Sequence, residues 1–253
     1  MSFIYGGVDT ATLPGVDAGV VEWPSLYGLE VDEIDSVGIF ARIVGGVSRS
    51  RTQFVFEVEI SGATIEEALE RADVFAELVD PARGVRDLDP HGSGEWVWPE
   101  AILSGEIIWE GHGRFVKGRA IFEAAPFGKP AVDESWQRSG AGSLTFTRSL
   151  GNTSALPTVE IRGTLSAAQT VTVTVGSYTN TIRGPLTSAQ VMRLDFENFE
   201  FAVWAGTTKV ASLVPRMSEL DPLELWTKTA YTLTVASTGT VSQVLVKANS
   251  RKQ

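Results

Sequence analysis

Only one stretch of this chain carries helical periodicity, and that scarcity limits the fold more than any other feature. Thr64 to Val79 (TIEEALERADVFAELV) spaces Ile65, Ala68, Leu69, Ala72, Phe75, Ala76 and Val79 at i, i+3, i+4 and i+7 intervals, which predicts an amphipathic helix. Thr64 and Glu67 form a capping box at its start, and Asp80 followed by Pro81 ends it. Just upstream, Phe54 to Ile60 (FVFEVEI) sets Phe54, Phe56, Val58 and Ile60 on one face and Val55, Glu57 and Glu59 on the other, the period of a strand. Further strands are expected at Val37 to Val44, Glu106 to Glu110 and Arg114 to Ala124.

Past residue 157 the pattern changes. Short runs rich in Val, Thr, Phe and Tyr recur at Thr158 to Arg162, Thr170 to Val175, Val191 to Phe196, Phe199 to Trp204, Lys209 to Leu213, Tyr231 to Ala236 and Val241 to Lys247. Regularly spaced short strands without a helix indicate an antiparallel sandwich. The Gly, Pro and Ser-rich stretch Pro126 to Pro157 reads as a linker with one strand at Leu144 to Arg148. The expected fold is therefore mostly β with one main helix, in two domains, 1–135 and 136–253. Charge follows the same division. The first part holds 24 acidic and 10 basic side chains, hence -14, and the second 7 and 11, hence +4, which together give the net -10. Such an imbalance speaks to partners and solubility rather than to fold. A net -10 argues against non-specific binding of nucleic acid or anionic membranes, both of which need a basic face.

The residues offer little catalytic chemistry. Cysteine is absent, which excludes disulfide scaffolds, thiolate nucleophiles and zinc fingers, and His91 and His112 are the only imidazoles. Neither a G-x-S-x-G elbow nor a phosphate-binding glycine loop occurs. Asp87-Leu-Asp89-Pro-His91-Gly92 begins like a calcium loop, with oxygen ligands at positions 1 and 3 and glycine at 6, but position 12 is Trp98 where a bidentate Glu is required. It reads as an acidic turn. No metal and no cofactor is expected, and no enzymatic activity. The start, MSFIYGG, lacks a secretory signal, and no window approaches the roughly 18 apolar residues of a membrane span, so the expectation is a soluble protein made in a cytoplasm, with no membrane anchor.

Taken in order, the features form a recognisable series. FIYGGVDT at the start precedes a strand-rich segment, then the strand and capped helix FVFEVEISGATIEEALERADVF, then PFGKP, GNTSALPTVEIRG and a late all-β region. This order resembles the distal tail proteins of long-tailed bacteriophages, the hub at the tip of a siphophage tail. The spacing of Asn152, Pro157, Val159, Ile161 and Gly163 looks like the start of that family's galectin-like C-terminal domain, and Pro126-Phe127-Gly128 like its exit from the ring domain.

The resemblance implies a structural virion protein: a homo-hexameric ring whose N-terminal domains form an annulus. It would join the tail tube protein to tail-associated, tail fibre or receptor-binding proteins, with the tape measure protein and DNA passing through the lumen. The acidic first domain suits such a conduit, because an acidic lining repels phosphate where a basic one would trap it. Glu57 and Glu59 are expected to face the channel. Ring closure needs two different contact patches per subunit, for which Trp23, Trp96, Trp98 and Trp109 are the expected aromatic anchors. The alternative is a soluble carbohydrate-binding β-sandwich in which Trp204, Tyr178 or Trp226 stacks on a glycan.

Overall fold

The computed structural model describes residues 1–23, 29–34, 43–49 and 51–252, with side chains over 1–23 and 51–252. The chain divides into two compact units, Met1–Ala131 and Val132–Lys252. The expected strand Val37 to Val44 lies mostly outside the described residues.

Among the described residues of the first unit the strands are β1 (Ile4–Tyr5), β2 (Val8–Asp9), β3 (Val16–Glu22), β4 (Leu29–Ile34), β5 (Ile43–Arg49), β6 (Thr52–Ser61), β7 (Arg86–Asp89), β8 (Trp96–Leu103), β9 (Glu110–His112), β10 (Phe115–Ala124) and β11 (Lys129–Pro130), with one α-helix, α1 (Ile65–Val79), after β6. The antiparallel main sheet runs β2-β1-β7-β8-β10-β6-β3, with β9 and β11 added on β10 and β8, while β4 and β5 pair with each other. The alternation of β6 sorts its side chains as expected: Phe54, Phe56, Val58 and Ile60 are fully buried, and Glu57 points to the other face. Phe3 fills the centre, 4.3 Å from the ring of Phe56 and 5.7 Å from that of Phe122. Each such buried side chain contributes about 1.5–3 kcal/mol.

The Thr64 hydroxyl accepts the Glu67 N–H at 3.3 Å and so caps α1. The Glu67 carboxylate reaches back to the Ala63 N–H at 2.6 Å, one residue further than a capping box requires. Arg71 bonds Glu67 at 2.6 Å and the Ser61 carbonyl at 2.5 Å, tying the helix to the end of β6. The buried stripe is narrower than the sequence pattern. Ala68, Ala72, Phe75 and Val79 meet the sheet, joined by Leu78, while Leu69 is 46% exposed and Ala76 faces solvent. A helix lying on a sheet buries one ridge, and residues 69 and 76 fall on its flank.

Glu106 to Glu110 is not the expected strand; only Glu110 belongs to one, β9. The segment packs over β10 instead of pairing beside it. Gly118 of β10 makes this approach possible, because a Cβ there would stand 2.8 Å from both Ile107 and Trp109.

The second unit contains β12 (Ser135–Ser139), β13 (Gly142–Thr147), β14 (Thr158–Thr164), β15 (Thr170–Val175), β16 (Tyr178–Arg183), β17 (Val191–Asp195), β18 (Glu200–Ala205), β19 (Thr208–Ser212), β20 (Ala230–Ser237) and β21 (Thr240–Lys247). They form two antiparallel sheets, β12-β21-β14-β17-β18-β19 and β13-β20-β15-β16. Val159, Ile161, Met192, Leu194 and Val244 of the first meet Val171, Val173, Ile182, Leu233 and Val235 of the second in one core, the arrangement of a sandwich. The outer face of the smaller sheet is laced by hydroxyl pairs, Ser143 with Thr234 at 3.1 Å, Thr172 with Thr181 at 2.9 Å and Thr174 with Thr179 at 3.1 Å. Such cross-strand pairs add about 0.2–1 kcal/mol each.

The stretch read as a linker is structured. Residues 135–139 pair with β21 and 142–147 with β20, and the Trp136 and Phe146 rings stack at 4.3 Å. Its Gly and Ser residues supply the turn, while a few apolar side chains supply the burial that the composition obscured. Arg148 at its end is fully buried and donates to the carbonyls of Leu225, at 2.6 Å, and Thr153. Burial pulls its pKa below the ordinary arginine value, with Glu134 and Asp133 opposing.

Candidate functional site

The side of the first unit's sheet that faces away from the helix and core is a charged surface built by β3, β6 and β10. Because β6 alternates strictly, burying Phe56, Val58 and Ile60 forces Glu57 and Glu59 onto this surface. In register, Glu59 lies between Asp17 of β3 and Lys117 of β10, and Glu57 between Gly19 and Arg119. Lys117 pairs with Glu59 at 2.8 Å, and this bond raises the lysine pKa. Arg119 stands 3.9 Å from Glu22, and the amino terminus of Met1 pairs with Asp17 at 2.5 Å. Glu57 makes no ion pair among the described residues. It lines a shallow cleft of about 420 Å³ together with Glu106, Glu110, Lys117 and Arg119. The surface is therefore acidic in excess but laced with cations, so Glu59 does not present a bare charge. What it can do chemically is repel polyanions and hold counterions.

The four tryptophans separate. Trp98 is 2% exposed, with its ring 5.1 Å from Phe54 and against the backbone of Gly128, where a Cβ would lie 2.7 Å away. It is a core residue, which corrects its expected place at a subunit contact: the side chain alternation of β8 turns it inward over Phe54. Trp96 and Trp109 are half-buried against the same core, the Trp109 ring edge-on to Phe75 with 6.1 Å between ring centroids. Trp23 is 43% exposed and stacks on His91 at 4.3 Å. A groove of about 320 Å³ runs beside Trp109, lined by Ala76, Val79, Pro81, Leu103 and Ile107.

Asp89 of the acidic turn is 4% exposed, and its two oxygens accept the N–H groups of His91 at 3.0 Å and Gly94 at 2.5 Å. The carboxylate is spent on shaping the turn. His112 lies against Phe115, 5.7 Å between rings, and not near a second imidazole in sequence or sheet.

In the second unit, Tyr178 packs edge-on against Phe196 at 5.5 Å and its hydroxyl accepts from Asn180 at 2.7 Å. Trp226 is 56% exposed. Trp204 stands on the outer face of the six-stranded sheet with the Arg193 guanidinium 5.1 Å over its ring. Sequence reasoning missed the group around it. The signal was present in the strands themselves: Glu160 and Arg193 interrupt apolar runs, between Val159 and Ile161 and between Met192 and Leu194.

No protein-family model and no curated protein matches the sequence. Among solved structures, the chain is similar to the Dit protein of phage SPP1, whose crystal structure is described as a paradigm of the hub adsorption apparatus in phages infecting Gram-positive bacteria. The match has a TM-score of 0.67 at 12% identity and covers 97% of both chains. Two structures of the phage P2 baseplate in its activated conformation, with Ca and with Sr, align at TM-scores of 0.38 and 0.33 with 9% and 11% identity. They cover 100% and 93% of this chain and 98% and 97% of those chains. The fold of the SPP1 Dit protein thus runs along nearly the whole chain.

Proposed function

We propose that a chain with this fold from end to end is a structural component of a phage virion, the hub ring at the distal end of the tail. Six copies close a ring through their first units. The ring joins the tail tube to the tail-tip and receptor-binding proteins, and leaves a channel for DNA and the tape measure protein. The second unit serves as a galectin-like platform, and the protein acts by assembly rather than by catalysis. The observation that carries this reading is the correspondence over 97% of both chains with a protein described as a hub adsorption apparatus.

The charge distribution supports it. The first unit holds 22 acidic against 10 basic side chains, hence -12, an excess suited to a conduit that must release DNA. We place the β3-β6-β10 surface, with Glu57 and Glu59, at the lumen, and Trp23, Trp96 and Trp109 at contacts between copies. A gold-labelled antibody against the chain, applied to tailed particles that contain it, should mark the end of the tail opposite the capsid. Label on the capsid, along the tail shaft or on no particle would reject the assignment.

A further inference from the structure

On the outer face of the six-stranded sheet, a nearly buried carboxylate organises a cationic patch beside an indole. Glu160, in β14, is 6% exposed although its side chain points away from the core, which Val159 and Ile161 enter instead. Its Oε1 accepts from Arg193 Nε at 3.2 Å and from Lys247 Nζ at 3.0 Å. The register places Arg193 directly opposite Glu160 on one side, and on the other strand Leu245 opposite Glu160 with Lys247 two residues further along the same face, opposite Thr158. Arg193 turns its guanidinium over Trp204, while its two Nη groups make no hydrogen bond among the described residues. Arg162, two residues from Glu160 on the same face, is exposed and has no ion pair among the described residues. The remaining acids on this face are engaged, Glu200 with Lys209 at 2.7 Å and Asp195 with Asn198 at 2.8 Å. Arg162, Arg193, Lys247 and Lys209 thus face the carboxylates of Glu160, Asp195 and Glu200, a local excess of one positive charge, with Arg162 the cation outside any ion pair among the described residues. Finally, the Trp204 indole N–H is buried without an acceptor, an unmet donor that costs free energy as it stands.

We propose that this face binds a sugar residue bearing a carboxylate or phosphate, as in an anionic surface glycan. The anion takes the Arg193 fork and Arg162, contacts that a planar guanidinium makes in bidentate fashion. Drawing Arg193 outward uncovers the indole, against which the apolar face of the sugar ring lies and whose N–H meets a ring or hydroxyl oxygen. Glu160 positions Arg193 and Lys247 and does not itself meet the ligand. A hub with this site touches the host surface directly, which goes beyond a passive platform, and the site stands or falls independently of the ring.

Saturation-transfer NMR on the full chain tests it, with glucuronic acid and glucose 6-phosphate as probes and glucose as the neutral comparison. Signals are expected from one or both anionic sugars, with glucose about tenfold weaker. They should vanish in Arg193→Gln and in Trp204→Leu, each with wild-type melting. If Trp204→Leu does not fold, Arg162→Gln supplies the second variant and should weaken binding about tenfold. Glucuronic acid alone would identify a uronic glycan, and glucose 6-phosphate alone a phosphosugar polymer. Displacement by an equal concentration of inorganic phosphate would mean an adventitious ion only and overturn the proposal. So would signals unchanged in folded Arg193→Gln, or no signal from either anionic sugar at about 10 mM, where even weak sites fill.

Discussion

Tyr178 is held between the Phe196 ring and Asn180, and burial pushes its phenol above the ordinary value of 10.0, with the Asn180 hydrogen bond working against the shift. A raised folded pKa means the folded chain keeps its proton longer than the unfolded one. The associated stability is complete below pH 10.0 and is lost as pH rises through the shifted value. Tyr5, also raised by burial, adds the same trend in the first unit. Chemical denaturation across this alkaline range should give a shallower loss for Tyr178→Phe than for the natural chain, and equal slopes would reject the assignment. On the charged surface, Glu57 and Glu59 set the sign of the field. Replacing both with Lys should create salt-sensitive retention of double-stranded DNA by the assembled protein, since each added cation meets phosphate and releases counterions. Retention no greater than that of the natural protein would remove these two residues from the lumen.

Among the elements, α1 and the β6–β10 pair carry the first unit. Ala72 is 1% exposed at the centre of the helix contact, so Ala72→Asp puts a carboxylate into an apolar site at a cost above about 3 kcal/mol. Thermal melting should show that variant unfolded or lowered by roughly 10 °C or more, whereas Leu69→Asp, at a 46% exposed position, should melt within a few degrees of the natural chain. Reversed outcomes would mean the helix packs by another face. These elements were legible in sequence because burial on one side writes a period, 3.6 along the helix and 2 along β6. Legibility failed where burial is not periodic. Glu106 to Glu110 alternates like a strand because Ile107 and Trp109 both turn toward the core, yet they do so from a loop crossing Gly118, and a distant glycine leaves no local mark. Strands β12 and β13, which join different sheets, were hidden for the opposite reason, Trp136 and Phe146 being diluted by Gly, Ser and Asp in a turn-rich stretch. The charged surface was readable from β6 alone, but its cations, Lys117 and Arg119, come from β10, and only the pairing register brings them opposite Glu59 and Glu57.

At the scale of the whole molecule, the two cores share no residue, one drawn from positions 3 to 124 and the other from 136 to 246. The proposed roles, assembly for the first unit and a platform for the second, thus rest on separate cores. A ring built from heterologous contacts must close at a fixed number of copies, so its mass is discrete. Six copies of the 27.2 kDa chain amount to about 163 kDa. Native mass spectrometry of the purified protein, with negative-stain imaging of the same sample, measures this directly. The account predicts a single species of that mass seen as a six-fold ring with an open centre. A protein that stays at 27.2 kDa, alone and with tail tube protein added, would contradict it.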